Sequence, residues 1–224
     1  MQLSSHTPQD KKTGLAIHDF YKALDTQERE SILDEATKAF GQFLTALKID
    51  WQADAQTKQT PSRVAKMYVD EWLSGRFYQK PDMKFFPCTT PTQKTIIQGP
   101  ITFSSLCPHH LIPFVGFVSL LISSDAKKVL GISKYARLVR FYSSKAYMQE
   151  DLGDVLLTNL MQVTQAQKVG VFISAKHRCC THRGVNQVLQ TSTTLHMSKA
   201  FELDSELRQY FTHITQKHMQ AMIC

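Results

Sequence analysis

From residue 26 to 47 apolar residues recur at helical spacing, and Ile32, Leu33, Ala36, Phe40, Phe43, Leu44 and Leu47 fall on one stripe. The spacing predicts an amphipathic helix. Residues 1–24 carry no comparable pattern and read as an N-terminal extension. Thr60-Pro61 combines an N-cap type with a proline suited to the first helical position, which predicts a helix through Ser74 that Gly75 ends. A polar connector punctuated by proline, Phe86-Pro87-Cys88-Thr89-Thr90-Pro91, closes this helical third.

Past the connector the pattern changes to short apolar runs alternating with helical stretches. Strands are expected over 96–103, 114–123, 129–132, 169–175 and 188–195. Helices are expected from a Ser133 cap to about 144, over 149–164 and over 204–219. No internal repeat is evident. The reading is an α+β protein with a largely antiparallel sheet, preceded by helices. Its parts are an extension (1–24), a helical region (25–90) and an α+β domain (91–224).

Composition narrows the function classes. Of 224 residues, 42% are hydrophobic and 20% charged, the balance of a globular chain. The longest apolar run, 114–122, is too short to span a bilayer, and residues 1–12 lack the apolar core of a secretory signal. A cytoplasmic protein is expected, in which five cysteines are free, metal-bound or catalytic rather than disulfide-bonded. The net charge of +7 raises nucleic acid as a partner, but no Lys/Arg run exceeds two residues and no nucleic-acid-binding motif appears. A few converging cations would serve a nucleotide equally well.

The candidate chemistry lies in two clusters. Cys107 and His110 form C-x-x-H after one expected strand, while His177 and Cys179 stand two apart at the end of another. Alternation would point those last two side chains to the same face. Cys107, His110 and Cys179 make a three-ligand set of the kind zinc takes, with the fourth position left for water, the catalytic form of such a site. His109 and His177, next to the ligands, are candidates for proton transfer. Cys88 and Cys224 read as incidental thiols, and His6, His18, His213 and His218 as solvated side chains. Strand alternation turns Cys180 away from Cys179, which favours a packing role and leaves a substitute-ligand role open.

Around these residues the chain resembles the GTP cyclohydrolase I family, over most of its length from about Thr26. The resemblance is carried by Thr60-Pro61-Ser62-Arg63-Val64-Ala65-Lys66-Met67-Tyr68, Cys107-Pro108-His109-His110-Leu111-Ile112-Pro113-Phe114, Gly131-Ile132-Ser133-Lys134-Tyr135-Ala136-Arg137, Gln149-Glu150, and His177-Arg178-Cys179 with Arg183-Gly184-Val185. It implies zinc on Cys107, His110 and Cys179, with His109 and His177 assisting proton transfer. It also implies substrate binding by Arg63, Ser133, Lys134, Arg137, Gln149, Glu150 and Arg183, with Glu150 on guanine and the cations and Ser133 on the triphosphate. The implied reaction converts GTP and water to 7,8-dihydroneopterin triphosphate and formate, at the head of tetrahydrofolate and pterin biosynthesis. The implied fold is the tunnelling fold, an antiparallel sheet with helices on one face, and the implied assembly is a homodecamer with active sites between subunits.

Elementary chemistry agrees with those roles. A carboxylate accepts two parallel hydrogen bonds from guanine's N1–H and amino group, and a triphosphate suits arginine forks and a helix N-terminus. Pro108, Asp151, Cys180-Thr181-His182 and Ser198-Lys199-Ala200 depart from the family's pattern. A nitrile reductase of the same fold would need no Cys-His-Cys metal set. A non-catalytic assembly paralogue is the reading from another class, separated from an enzyme by formate release.

Overall fold

The computed structural model describes residues 23–88 and 92–222. Most of the expected extension (1–24) and the boundary expected at 90/91 lie outside the described residues. The chain forms two compact units, one ending at Gln79 and one beginning at Lys80.

In the first unit, α1 (Thr26–Ala46) opens on a capping box: Asp25 accepts from Glu28 N–H, and Glu28 accepts from Asp25 N–H, both at 2.9 Å. The expected stripe is only partly covered within the chain, since Phe43 and Leu47 are 53% and 55% exposed. The second expected helix is shorter and broken. Gln59 is its N-cap and Thr60 its first helical residue in α2 (Thr60–Lys66); a π-helical stretch (Met67–Trp72) follows, then α3 (Ser74–Phe77). Gly75 does not end the helix but is buried inside α3. Arg29 grips Asp70 with two parallel bonds, at 2.8 and 2.5 Å, tying α1 to the π-helical stretch.

The second unit is built on a four-stranded antiparallel sheet in the order β2-β3-β5-β6: β2 (Lys94–Leu106), β3 (Pro113–Ser124), β5 (Lys168–His177) and β6 (Ser192–Met197). A two-stranded ribbon pairs β1 (Phe85–Pro87) with β4 (Lys128–Leu130), so the supposed connector carries a strand. Ile132, expected to end a strand, starts α4 (Ile132–Ser143), and Gly131 rather than Ser133 is its N-cap. α5 (Gln149–Thr164) has the expected bounds, and α8 (Ser205–Ala221) is capped by Asp204, which accepts from Leu207 N–H at 3.0 Å. Of residues 188–191, expected in a strand, 188–189 form a turn and 190–191 are irregular, and β6 starts later. Gly184 and Asn186, with φ of 61° and 49°, are left-handed residues in the segment just before, between α6 and residue 188.

Register separates the two faces. Val118, Leu120 and Ile122 pair with Ile173, Val171 and Val169, all buried, and α5 covers this face with α4 beside it. Phe117, Leu121 and Phe172 point the other way and close a core with Phe201 of α7 (Lys199–Glu202) and Phe211 of α8. The antiparallel α+β architecture is therefore as expected, with one difference: helices pack on both faces. The composition of β3 explains it, because apolar residues lie on both of its faces and each face needs cover.

Candidate active site

The end of the β2–β3 hairpin builds half of the site. Leu106 pairs with Pro113, and the six residues between them close into a tight loop. Cys107 N–H donates to Ile112 O at 3.0 Å, while Cys107 O accepts from Leu111 N–H at 2.9 Å. Leu111 adopts φ 51° to complete the turn. Cys107 is buried at the strand end, and His109 and His110 are exposed on the loop.

The next strand supplies the other half. Phe114 is in register with His177, so the loop and the end of β5 lie side by side. The His177 ring stacks on Phe114, centroids 4.4 Å apart and planes within 6°. Beyond His177 the strand argument for Cys179 fails, because β5 stops there and the chain turns into α6 (Arg178–Thr181). Cys179 nevertheless reaches the loop by that helical turn. Donor atoms of Cys107, His110 and Cys179 all lie within 4.8 Å of one another. Its neighbour does not point away: the Cys179 and Cys180 sulfurs are 3.9 Å apart.

The donor chemistry fits a soft divalent cation. Burial first, then the adjacent Cys107 and Cys180 sulfurs, push the Cys179 thiol up to about 11. Crowded thiols resist ionising by themselves, and a bound cation is what stabilises them as thiolates. Two sulfurs and one imidazole form the set that suits zinc with an open fourth position.

His177 is held in one tautomer. The Gln149 amide donates to Ser192 O at 3.2 Å and to Thr194 Oγ1 at 3.4 Å, which leaves its Oε1 facing His177 Nε2 at 2.9 Å. A carboxamide oxygen only accepts, so Nε2 carries the proton and Nδ1 keeps its lone pair. Burial lowers the His177 pKa, opposed by the charge of Glu150. Glu150 is exposed at the start of α5. Gln149, expected at the substrate, is 2% exposed and engaged with protein partners instead. His109 Nδ1 lies 3.5 Å from Cys107 Sγ.

The expected anion-binding residues occupy three places. Ser133, Lys134 and Arg137 lie in the first two turns of α4, with Ser133 and Arg137 exposed one turn apart. Arg183 reaches back to His110, Nη1 to Nε2 at 3.1 Å. Arg63 belongs to the first unit, exposed, and donates to Gln59 Oε1 at 3.3 Å.

Several features were missed in the sequence. His196 Nδ1 meets Asp154 Oδ1 at 2.7 Å, and His196 packs over Gly153. His218, expected in solvent, meets Ser119 Oγ at 2.8 Å, and burial lowers its pKa. The signal for the first pair was its residue types alone, since the partners are 42 residues apart. His6, His18 and Cys224 lie outside the described residues.

Residues 36–216 match the family model described as GTP cyclohydrolase I. A protein named GTP cyclohydrolase 1 from Blochmanniella pennsylvanica is 33% identical over 75% of both chains. The protein of that name from Pectobacterium carotovorum is 29% identical over 92% of this chain and 97% of its own. The one from Serratia proteamaculans is 30% identical over 88% and 91%. Among solved structures, the apo form of an archaeosine synthase QueF-Like covers 49% of this chain and 96% of its own, with a TM-score of 0.39 and 16% identity.

Proposed function

The chain belongs to the GTP cyclohydrolase I family, and from that premise we propose how its own residues divide the work. The family's reaction opens the imidazole ring of GTP hydrolytically and rearranges the product to 7,8-dihydroneopterin triphosphate, with formate released, as the first step of tetrahydrofolate biosynthesis. The observation that carries the assignment is the convergence of Cys107, His110 and Cys179, from two separate strand ends, on one small volume.

Those three residues hold a zinc ion in this reading, because two thiolates and an imidazole match its preference and leave one position open. Bound there, zinc supplies the Lewis acidity that makes water a nucleophile near neutral pH. The protein's residues do the rest. His177, fixed by Gln149 and stacked on Phe114, presents Nδ1 as a proton acceptor. His109, on the same loop as the ligands, carries the second proton. Glu150 reads guanine through a bidentate pair, and its place beside His177 sets the base near the proton carrier. Ser133, Lys134, Arg137 and Arg183 hold the triphosphate. Gln149 acts on the substrate indirectly, by orienting His177.

We also propose a homodecamer with active sites shared between subunits. Val188, Leu189 and Leu203, at 63%, 87% and 74% exposed, offer the apolar surface that such an assembly would cover. A cytoplasmic location is in keeping with free Cys88, Cys107, Cys179 and Cys180.

Incubating the zinc-loaded protein with GTP should release formate and a pterin that fluoresces after oxidation. Zinc bound stoichiometrically without either product would favour a non-catalytic assembly role.

A further inference from the structure

Cys180 is the one sulfur beside the site that the reading above leaves without work. In a continuous strand it would point away from Cys179. Because 178–181 form a helical turn, successive side chains diverge by roughly 100° rather than 180°. The two sulfurs therefore share one side, 3.9 Å apart. Tetrahedral zinc with bonds of about 2.3 Å to sulfur places two of its thiolates about 3.8 Å apart. The Cys179–Cys180 separation is thus that of two ligands on one ion.

Cys180 is not within the mutual 4.8 Å reach that joins Cys107, His110 and Cys179, so it borders the set through Cys179. Its backbone is fixed, with its carbonyl accepting from Gln187 N–H at 3.0 Å. Its side chain is half-exposed, and among the described residues Cys179 is the only hydrogen-bond partner its sulfur has.

We propose that Cys180 is a displaceable fourth ligand. It closes the metal site as a three-cysteine, one-histidine set while the substrate is absent, and withdraws when GTP binds. The thiol gives its proton to solvent on ligating and regains one on leaving, so no oxidant or reductant takes part. A closed set of this kind is the structural form of a zinc site, which holds the ion firmly and admits no water. The proposal rests on the three-ligand reading given above.

Cobalt(II) loaded into the metal-free protein tests it, because thiolate-to-cobalt charge-transfer absorption grows with the number of thiolates bound. The resting wild-type protein should show a band that falls by about one third in both Cys180→Ala and Cys180→Ser, as one of three thiolates is lost. GTP should lower the wild-type band towards that of the variants. Equal bands in all three proteins would overturn the proposal and leave the three-ligand site standing. A wild-type band that exceeds the variants' but does not respond to GTP would overturn displacement. Absence of any thiolate band in all three would overturn the three-ligand site and this proposal together.

Discussion

Arg183 donates from Nη1 to Nε2 of His110 across 3.1 Å. A guanidinium has no acceptor, so His110 must accept there, with its proton on Nδ1. Ligation of a metal by His110 is incompatible with this arrangement. A metal on Nε2 displaces the arginine directly, and a metal on Nδ1 leaves an N–H on Nε2 that faces another donor. Metal binding at His110 would therefore free Arg183 for an anion. Arg183→Ala should bind GTP about 10- to 100-fold more weakly, the loss of one or two charge-assisted bonds, and should bind guanosine almost normally. Calorimetric titration of both ligands checks this, and equal weakening of guanosine would count against a phosphate role.

Cys179 supplies a sulfur from the helical turn, and Cys180 lies outside the mutual reach of the other donors. Cys179→Ala should accordingly lose turnover and bind zinc more weakly, keeping after dialysis less than about one zinc per subunit on Cys107, His110 and Cys180. Metal analysis of the dialysed variant is the measurement. Full retention of zinc would show that Cys180 takes the place of Cys179.

Glu150 is exposed at the start of α5, where its charge reaches His177. Glu150→Gln keeps the shape but sets an N–H against one of guanine's own donors. The loss of a charge-assisted bidentate pair should cost about 2–4 kcal/mol of transition-state binding. It appears as a drop in kcat/KM with GTP. An unchanged value would shift attention to Asp151.

Among the described residues, Gln149 is the only side chain that holds His177 by a hydrogen bond, and both of its polar ends are engaged. Gln149→Leu fills the same space but frees the imidazole to flip. Turnover should fall roughly 10- to 100-fold, in the range of a lost proton-transfer contribution, with KM for GTP little changed. A rise in KM at constant kcat would instead place Gln149 on the substrate.

The sheet and the first long helix were legible because their signals are local: short apolar runs for β3 and β5, and a periodic stripe for α1. The metal donors were legible as residue types at short spacing. The path of the chain between His177 and Cys180 was not. Strand alternation does not continue past His177, because α6 turns the chain and puts both sulfurs on one side. Gly131 as the cap of α4 and Gly75 inside α3 show the same limit, since glycine marks a helix end only where tertiary contacts leave it one. Long-range pairs such as Gln149–His177 and Asp154–His196 depend on register, which no local pattern prints.

Gly153 lies on the face of α5 that meets His196, and a Cβ built there would stand 2.1 Å from Nε2 and 2.2 Å from Cδ2 of that ring. The ring cannot yield easily. Its Nδ1 is tied to Asp154 at 2.7 Å, and its side chain is 12% exposed. Gly153→Ala should therefore destabilise the fold by about 1–3 kcal/mol through overpacking, despite alanine's better helix propensity. Removing the obstacle should reverse the sign. In Gly153→Ala/His196→Ala the methyl group has room, so the double variant should be more stable than the sum of the two single changes predicts, by about 1 kcal/mol or more. Chemical denaturation of the four proteins measures that coupling, and strict additivity would mean that α5 shifts away from β6 freely. The helix position matters beyond stability, because Gly153 is one turn from Gln149. If the single variant relieves its clash by lifting α5, the Gln149 amide leaves His177, and turnover should fall in Gly153→Ala and recover in the double variant.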